Sequence, residues 1–542
     1  MTTRICAALL AAMACVLPLS AVAQVSPLII DQNRTDRRPP TVPNKSNRPL
    51  HQPKAQNSVR EIKPFTVTEV RISGSTIDPG ALGAVARGFV GETADGKTIN
   101  AITDAIAGVY EQSDVALYTV VAPEQDFAGG IVNVTVIEGY IQHADIHGDI
   151  GGHLDLVKAY AAKLTQERPL RKSTLQRYVS LIRDIAGLTP DIQLLSGNQP
   201  GAVELSIGLS QKDYQVGIAI NTRGAQELGR IQFGTDLTLY DLFQEGDATK
   251  IGFAAPTELK YFQYYTFSET QPVGEDGLMG QINLGYLRTR PKDGLPSGHA
   301  ENGQLLFSYP LIRGFEENLY VSASFDALDS RNALLGQTLA NEKVRALRAA
   351  AAYSQQEEKH ALSLAGTLSL GIDGLGAHVT SPALSQSDFK KINLQGAFAQ
   401  QFGDHWIARL SMAAQYTESR LPVSEFFALG GGDYGRGFPA ASIYGDRGLA
   451  GSAELAYRLS DVADFLTSTE LYTFADDGAA TLTQRSGLIK RGFSLSSAGF
   501  GVRFGIGAKT TLYVEAEKPL HVPQVPGLDR GWQLGFGFRG NY

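Results

Sequence analysis

Apolar and polar residues alternate with a period of two from about residue 213 to Tyr542. Near the start of this stretch, Tyr214, Val216, Ile218 and Ile220 alternate with Gln215, Gly217, Ala219 and Asn221. At its end, Trp532, Leu534, Phe536, Phe538 and Tyr542 alternate with Gln533, Gly535, Gly537, Arg539 and Asn541. A period of two predicts β-strands. An apolar face opposite a face of Gly, Asn, Gln and Arg predicts lipid outside and a polar lumen inside.

Such a sheet has to close on itself, because every backbone polar group in hydrocarbon must be paired. The length of residues 213–542 allows roughly sixteen strands at about ten residues per strand plus loops. A soluble β-sandwich also alternates, but inward-facing Arg503 and Arg539 and the aromatic final strand disfavour it. We therefore predict a mostly β chain that ends in a transmembrane antiparallel β-barrel over residues 213–542.

Residues 64–212 follow a mixed α/β pattern that occurs twice. In the first copy, a strand over residues 65–72 precedes a short helix, with Asp78 as N-cap and Pro79 as first residue. A second helix follows Thr98, and a strand carrying Val132, Val134 and Val136 ends the copy. The second copy repeats the order, which predicts two β-α-α-β-β modules over residues 64–140 and 141–212.

The N-terminus has the features of an export signal over residues 1–23. Arg4 precedes an apolar stretch, and Ala21-Val22-Ala23 is the small-x-small pattern that signal peptidase cleaves. Both cysteines, Cys6 and Cys15, lie in this segment, so the mature chain has no disulfide and no thiol-ligated metal. Residues 24–63 are proline-rich and basic, which favours a solvated tether over an ordered functional segment.

Composition and motifs give little support for an enzyme. The net charge of −7 disfavours a nucleic-acid partner. Residues 91–98 match the phosphate-loop pattern, but a helix precedes them and the periplasm offers no nucleotide, so we predict a turn with Thr98 as N-cap. Residues 430–435 match the dinucleotide pattern without the following helix. We predict no catalytic residue, no cofactor and no metal site.

Three motifs resemble those of the haemolysin secretion/activation family, the outer-membrane transporters of two-partner secretion. Residues 122–125 and 130–139, which end in Glu138-Gly139, are similar to a stretch of its polypeptide-transport-associated (POTRA) domains. Residues 429–438 resemble the V/I-R-G-Y/F tip of the long loop that folds back into the barrel in this superfamily, except that Gly435 replaces the β-branched first residue of the motif. Residues 471–478 are similar to its strand motif F-x-D-x-G.

The resemblance implies a specific ion pair inside the barrel. Its loop-tip residues are Gly435, Arg436, Gly437 and Phe438, and its strand partners are Phe474, Asp476 and Gly478. Alternation along residues 470–478 also directs Asp476 to the lumen, where a guanidinium binds a carboxylate through two parallel hydrogen bonds. The alternative is that Arg436 pairs locally with Asp433 or is solvated.

The implied function is export of a large unfolded partner protein from the periplasm, with the modules in the periplasm and the barrel in the outer membrane. Phe538 and Tyr542 resemble the terminal signal that the barrel-assembly machinery reads, so that machinery and outer-membrane lipid are further expected partners. Nucleic acid and nucleotide are not expected as partners. Three alternatives stay open at this point: an insertase of the same superfamily, a porin for small solutes, and a barrel enzyme.

Overall fold

The computed structural model describes residues 62–148, 154–292, 294–334, 337–460, 462–485, 489–524 and 528–542. The predicted signal peptide and residues 24–61 of the predicted linker lie outside the described residues. The described chain forms two compact units. One comprises residues 62–212 with 312–315, and the other comprises residues 213–311 with 316–542. None of the described helices is long and apolar enough to cross a membrane.

The first module is a three-stranded sheet covered by two helices. Its elements are β1 (Phe65–Thr66), β2 (Glu69–Ser73), α1 (Pro79–Arg87), β3 (Thr93–Ala94), α2 (Gly96–Glu111), β4 (Tyr118–Val121) and β5 (Ile131–Glu138). In the sheet order β2-β5-β4, β2 is parallel and β4 antiparallel to β5. Val132, Val134 and Val136 of β5 are buried against one face of α2. These apolar contacts are the core that the alternation predicts.

Two local predictions in this module are wrong. The strand over residues 65–72 is interrupted at buried Val67, because β1 pairs with β3 whereas β2 pairs with β5. Helix α2 is capped by Asp95 rather than Thr98. The Asp95 carboxylate accepts hydrogen bonds from the backbone N–H groups of Lys97 and Thr98, both at 3.0 Å. It thereby satisfies two helix donors that have no partner within the helix.

The second module repeats this arrangement. Its elements are β6 (Tyr140–His147), α3 (Asp155–Thr165), α4 (Lys172–Asp184), β7 (Leu188–Ser196) and β8 (Ala202–Gln211). The sheet order β6-β8-β7 again has one parallel and one antiparallel pair. Val157 and Leu164 of α3 pack with Val179 and Ile182 of α4 over buried Leu205. The two modules therefore share one topology.

Within the described residues, sixteen antiparallel strands form a closed barrel. They are β9 (Tyr214–Asn221), β10 (Gln232–Tyr240), β11 (Ala248–Pro256), β12 (Phe262–Val273), β13 (Leu278–Thr289), β14 (Ser297–Arg313), β15 (Glu317–Leu334), β16 (Gln337–Gln356), β17 (His360–Gly371), β18 (Lys390–Phe402), β19 (Trp406–Thr417), β22 (Arg447–Leu459), β23 (Leu466–Leu482), β24 (Arg491–Ile506), β25 (Thr510–His521) and β26 (Gln533–Asn541). A separate hairpin, β20 (Phe427–Leu429) and β21 (Ile443–Gly445), lies between β19 and β22. The predicted fold class is confirmed.

Barrel closure joins the first strand to the last. Phe538 of β26 is in register with Ile220 of β9. The terminal Tyr542 exchanges backbone hydrogen bonds of 2.8 and 2.9 Å with Val216. Outward positions such as Leu284, Leu368 and Leu410 are exposed, whereas their sequence neighbours face the interior. This exposed apolar face is the one that lipid covers in a membrane barrel.

One end of the lumen differs from the expected polar interior. Residue 212 leads directly from the second module into β9, so the start of β9 marks the end of the barrel at which the modules are attached to the chain. Near the opposite end, inward-facing side chains and loop residues form a buried apolar cluster, here called the apolar layer. Its members are Leu228, Phe262, Tyr264, Leu287, Ala300, Leu328, Val344, Ala346, Phe389, Leu421 and Phe426. Alternation places the strand residues of this layer inside but does not reveal that they meet the loop residues Leu228, Phe389, Leu421 and Phe426.

Candidate functional site

The loop between β19 and β22, residues 418–446, is folded inward and is called the inward loop here. Its hairpin places Phe427 opposite Gly445, and the glycine-rich tip follows Leu429. Gly435 has φ of +79°, a conformation that glycine adopts without strain. A Cβ atom at this position would lie 2.6 Å from Cδ1 of Leu495. The β-branched residue that the family motif has here therefore does not fit this tip.

Arg436 binds Asp476 of β23 with both its side chain and its backbone. The guanidinium Nη2 lies 2.9 Å from Asp476 Oδ1, and Nε lies 3.1 Å from Oδ2. The Arg436 backbone N–H also donates to Oδ2 at 2.9 Å. Only 2% of Asp476 is exposed, and 8% of Arg436. Two parallel hydrogen bonds between buried charges fix the orientation of the arginine as well as its position.

Further contacts complete the surroundings of Arg436. Ser452 accepts a hydrogen bond from Nη2 at 2.9 Å, and Glu454 accepts one from Nη1 at 3.3 Å. The Phe474 ring lies beneath the guanidinium, 3.4 Å from ring centroid to Cζ, in a cation–π contact. Asp433, the local partner considered from sequence, is exposed. The alternation argument for Asp476 agrees with this geometry, since Asp477 on the other face of β23 is exposed.

The neighbouring motif residues pack the tip against the wall. Phe438 is buried in a cluster with Leu429, Ile443 and Leu495. Gly437 approaches β24 so closely that a Cβ atom there would lie 3.0 Å from the Cβ atom of Ser497. Gly478 makes room for Leu429, whose Cδ1 atom would be 2.7 Å from an added Cβ. The loop and strand motifs therefore meet in one buried contact region.

A charged network that the motifs do not reveal surrounds this pair. Arg409 and Arg503 each bind both Glu454 and Glu470 at N–O distances of 2.9 to 3.1 Å. Arg223 binds Glu515 and Glu517 of β25. All these side chains except Arg223, which follows β9, stand at inward positions of β19, β22, β23, β24 or β25. Alternation therefore identifies them as lumen-facing, but partner choice depends on barrel curvature and register, which the sequence does not give.

The base of the inward loop has its own anchors. Glu425 is fully buried, with Arg348 Nη2 at 3.0 Å and Lys391 Nζ at 2.7 Å. Gln415 Nε2 donates to the backbone carbonyls of both Glu425 and Asp446, each at 2.9 Å. These contacts connect the two ends of the inward loop to the wall, so the loop is held at its base as well as at its tip.

The module motif residues have structural roles. Glu138 accepts hydrogen bonds from the backbone N–H and hydroxyl of Thr76 at 2.8 and 2.7 Å. Gln125 pairs with the backbone of Asn133 through both ends of its amide, at 2.7 and 2.8 Å. Burial and Glu138, whose Oε1 lies 2.6 Å from the phenol oxygen, raise the pKa of Tyr110. The motif residues Gln125 and Glu138 thus connect β5 to the neighbouring loops by hydrogen bonds.

Among the described residues, no group of three or more His, Cys, Asp or Glu side chains is arranged to hold a metal ion. The two residues of the expected assembly signal lie at the barrel seam. Phe538 is in β26, and the side chain of Tyr542 is exposed at its end.

The fold and this contact region define an outer-membrane β-barrel transporter that carries periplasmic modules. Residues 203–504 match the family model described as Haemolysin secretion/activation protein ShlB/FhaC/HecB, and residues 65–139 match the ShlB-type POTRA domain. The chain belongs to the haemolysin secretion/activation protein family. Its members are outer-membrane transporters that export partner exoproteins, and their POTRA domains lie in the periplasm. The predicted protein class, the predicted outer-membrane location and the predicted export of a partner protein are confirmed.

Individual relatives agree with this assignment. The outer membrane transporter CdiB of Dickeya dadantii is 21% identical over 414 residues, 73% of this chain and 72% of the relative. The heme/hemopexin transporter protein HuxB of Haemophilus influenzae is 19% identical over 485 residues, 85% and 84% of the two chains. The structure of CdiB from Escherichia coli matches with a TM-score of 0.72 at 18% identity, covering 91% of this chain and 94% of that one.

The insertase alternative has weaker support. The structure of BamA from Haemophilus ducreyi lacking POTRA domains 1–3 matches with a TM-score of 0.51 at 13% identity. That match covers 88% of this chain and all of the BamA chain, at 100%. At this identity the likeness shows a shared fold alone.

Proposed function

We propose that the contact between Arg436 and Asp476 holds the inward loop in a resting position and is released when an unfolded partner protein passes through the lumen. The observation that carries this proposal is a buried, bidentate ion pair between a loop tip and the barrel wall. The loop fills space that a translocating chain needs, so transport requires the loop to move.

The modules offer sheet edges at which an unfolded chain can add a strand. In the first module, β2 and β4 are the outer strands, and in the second, β6 and β7 are. An exposed edge has unpaired N–H and C=O groups that bind an extended peptide through main-chain hydrogen bonds. The proposed cargo is therefore a secreted exoprotein that reaches the modules in an extended state.

The protein acts in this proposal as a transporter and catalyses no reaction. Its family members are transporters, and the inward-loop region consists of ion pairs without a nucleophile and its base. Outer-membrane lipid covers the exposed apolar face, and the barrel-assembly machinery reads the C-terminal strand with Phe538 and Tyr542. Folding of the cargo outside the cell supplies the driving force.

The first test is secretion in a two-gene system that expresses this protein and a candidate partner, which would be a large exported protein encoded beside this gene. Arg436→Ala and Asp476→Ala should each abolish export while barrel levels hold. Asp477→Ala is the matched control, since it removes the neighbouring carboxylate from the opposite face of the same strand. Unchanged export in both test variants would contradict the role of the ion pair. No export by the wild type, with defects in other barrels after deletion, would favour the insertase.

A second test fixes the loop in place. A Cβ atom added at Gly437 would lie 3.0 Å from that of Ser497, so a small outward shift of the tip brings the pair to the roughly 3.5–4.5 Å that a disulfide needs. The mature chain is predicted to lack native cysteine, so Gly437→Cys with Ser497→Cys adds the only pair. Export should stop in oxidising medium and return after reduction. Each single cysteine variant is the control, and export through the oxidised double variant would show that the loop need not move.

A further inference from the structure

Arg223 lies just beyond the end of β9, and its guanidinium reaches the inward loop. Its Nη1 donates to the backbone carbonyl of Arg436 at 3.2 Å and to that of Gly431 at 3.4 Å. The side chain is 12% exposed. No motif in the sequence marks this residue, and its contacts are with the backbone of the loop tip rather than with its side chains.

The other guanidinium nitrogens bind β25. Nη2 contacts both Glu515 and Glu517, the latter at 2.6 Å, and Nε donates to the Tyr513 hydroxyl at 3.3 Å. All five N–H groups of the guanidinium thus have an acceptor, which is the full capacity of an arginine. A lysine carries the same charge but only three donors, and it lacks the planar fork.

The path of this side chain crosses the barrel seam. Strand β26 lies between β9 and β25, so Arg223 passes over β26 to reach its carboxylates. Gly535 makes this possible, because a Cβ atom there would lie 2.4 Å from Glu517 Oε1 and 3.3 Å from Arg223 Nη2. The guanidinium therefore connects the end of the first strand, the loop tip and β25 at one point.

We propose that Arg223 is a positioning residue for transport: it holds the backbone of the loop tip across the seam, in addition to the Arg436–Asp476 pair. Release of the loop then requires the contacts with Arg223 to break as well as the Arg436–Asp476 pair. The proposal rests on the function proposed for the inward loop, but loop position can be measured without any exported partner.

The experiment measures how well the loop shields Ser497, which is fully buried beneath the tip. Ser497→Cys is introduced into the full chain, and its rate of modification by a small water-soluble methanethiosulfonate reagent is followed in outer-membrane vesicles without cargo. Adding Arg223→Ala should raise the rate by about tenfold or more, since hydrogen bonds to a charged group are lost. Arg223→Lys should give an intermediate rate. Arg539→Ala, at an exposed arginine of β26, should leave the rate unchanged.

A purely structural role of Arg223 would be to neutralise Glu515 and Glu517. The double variant Arg223→Ala with Glu517→Gln removes one of the carboxylates and keeps Glu515, which also lies 3.6 Å from Arg436 Nη1 and accepts from the Tyr472 hydroxyl. It should keep the fast modification because the carbonyl contacts are still missing. Protection restored in the double variant, or an unchanged rate in both Arg223→Ala and Arg223→Lys, would overturn the proposal. If protection is lost but export is normal, Arg223 still positions the loop and the proposed transport role of the loop fails instead.

Discussion

Asp446 and Arg485 face each other at the base of the inward loop, with Nη1–Oδ2 and Nη2–Oδ1 distances of 2.7 and 2.9 Å. Asp446 is fully buried and also accepts from the backbone N–H groups of Leu421 and Thr483. One carboxylate thus connects the start of the loop, its end and the β23–β24 connection.

Asp446→Ala is expected to destabilise the protein by about 3–5 kcal/mol, because it leaves a buried guanidinium without its counter-charge. The temperature at which the folded form disappears on semi-native electrophoresis should fall clearly. Asp433→Ala, at an exposed carboxylate of the same loop, is the control and should behave as wild type. If Asp446→Ala melts at the same temperature as wild type, the Asp446–Arg485 pair does not stabilise the base of the inward loop.

Glu425 provides a second prediction, since it is the shared acid for Arg348 and Lys391. Glu425→Ala should lower the melting temperature strongly, because buried Lys391 then loses its carboxylate partner and buried Arg348 loses one of its own, keeping Asp326 at 3.1 Å. Adding Lys391→Met removes one of those cations and should recover part of the loss. A double-mutant cycle over these variants measures the coupling, and strict additivity of the two changes would contradict the proposed pairing.

Gly435 provides a third prediction, which concerns the motif position where this chain departs from its family. Gly435→Val should weaken docking of the loop tip, both from its positive φ and from the approach to Leu495. Backbone strain of this kind costs about 1–3 kcal/mol. Modification of Ser497→Cys should accordingly speed up. Adding Leu495→Ala removes only the steric clash of the valine. The modification rate of Ser497→Cys should therefore be higher in Gly435→Val with Leu495→Ala than in Leu495→Ala alone. Equal rates in these two variants would exclude a contribution from backbone strain.

Tyr110 provides a fourth prediction, on the pH dependence of the first module. Burial and the Glu138 carboxylate raise the pKa of its phenol above the ordinary value of about 10. The fold therefore stabilises the neutral phenol, and this contribution is fully present below pH of about 10 and is lost as pH rises through the raised pKa. All four described α-helices belong to the modules, so the helical signal in far-UV circular dichroism reports the unfolding of the modules.

Tyr110→Phe should lower module stability by about 1.5–3 kcal/mol at neutral pH, the value of a hydrogen bond to a charged acceptor. It should also reduce the loss of stability above pH 10. Tyr214→Phe, at an exposed tyrosine of the barrel, is the control for general alkaline effects. If Tyr110→Phe loses stability above pH 10 as steeply as wild type, a group other than Tyr110 causes the loss.

The sequence predicted the barrel, the repeated module and the inward direction of Asp476 because each depends on local periodicity alone. It failed where two local choices competed: Asp95 and Thr98 both suit an N-cap, and only the geometry of α2 selects Asp95. It also missed Arg223, whose partners are 292 and 294 positions away in the chain. Contacts of that kind arise from barrel closure, which no window of neighbouring residues contains.

The apolar layer gives the idle transporter a property that its polar lumen lacks. A hydrated ion or a charged drug that enters from the periplasm meets side chains such as Phe262, Leu328 and Phe426, which offer no replacement for its water shell. An extended polypeptide brings apolar side chains of its own and can be accommodated among them once the inward loop has moved. We therefore expect the resting barrel to pass small charged solutes poorly, although it opens to a protein chain.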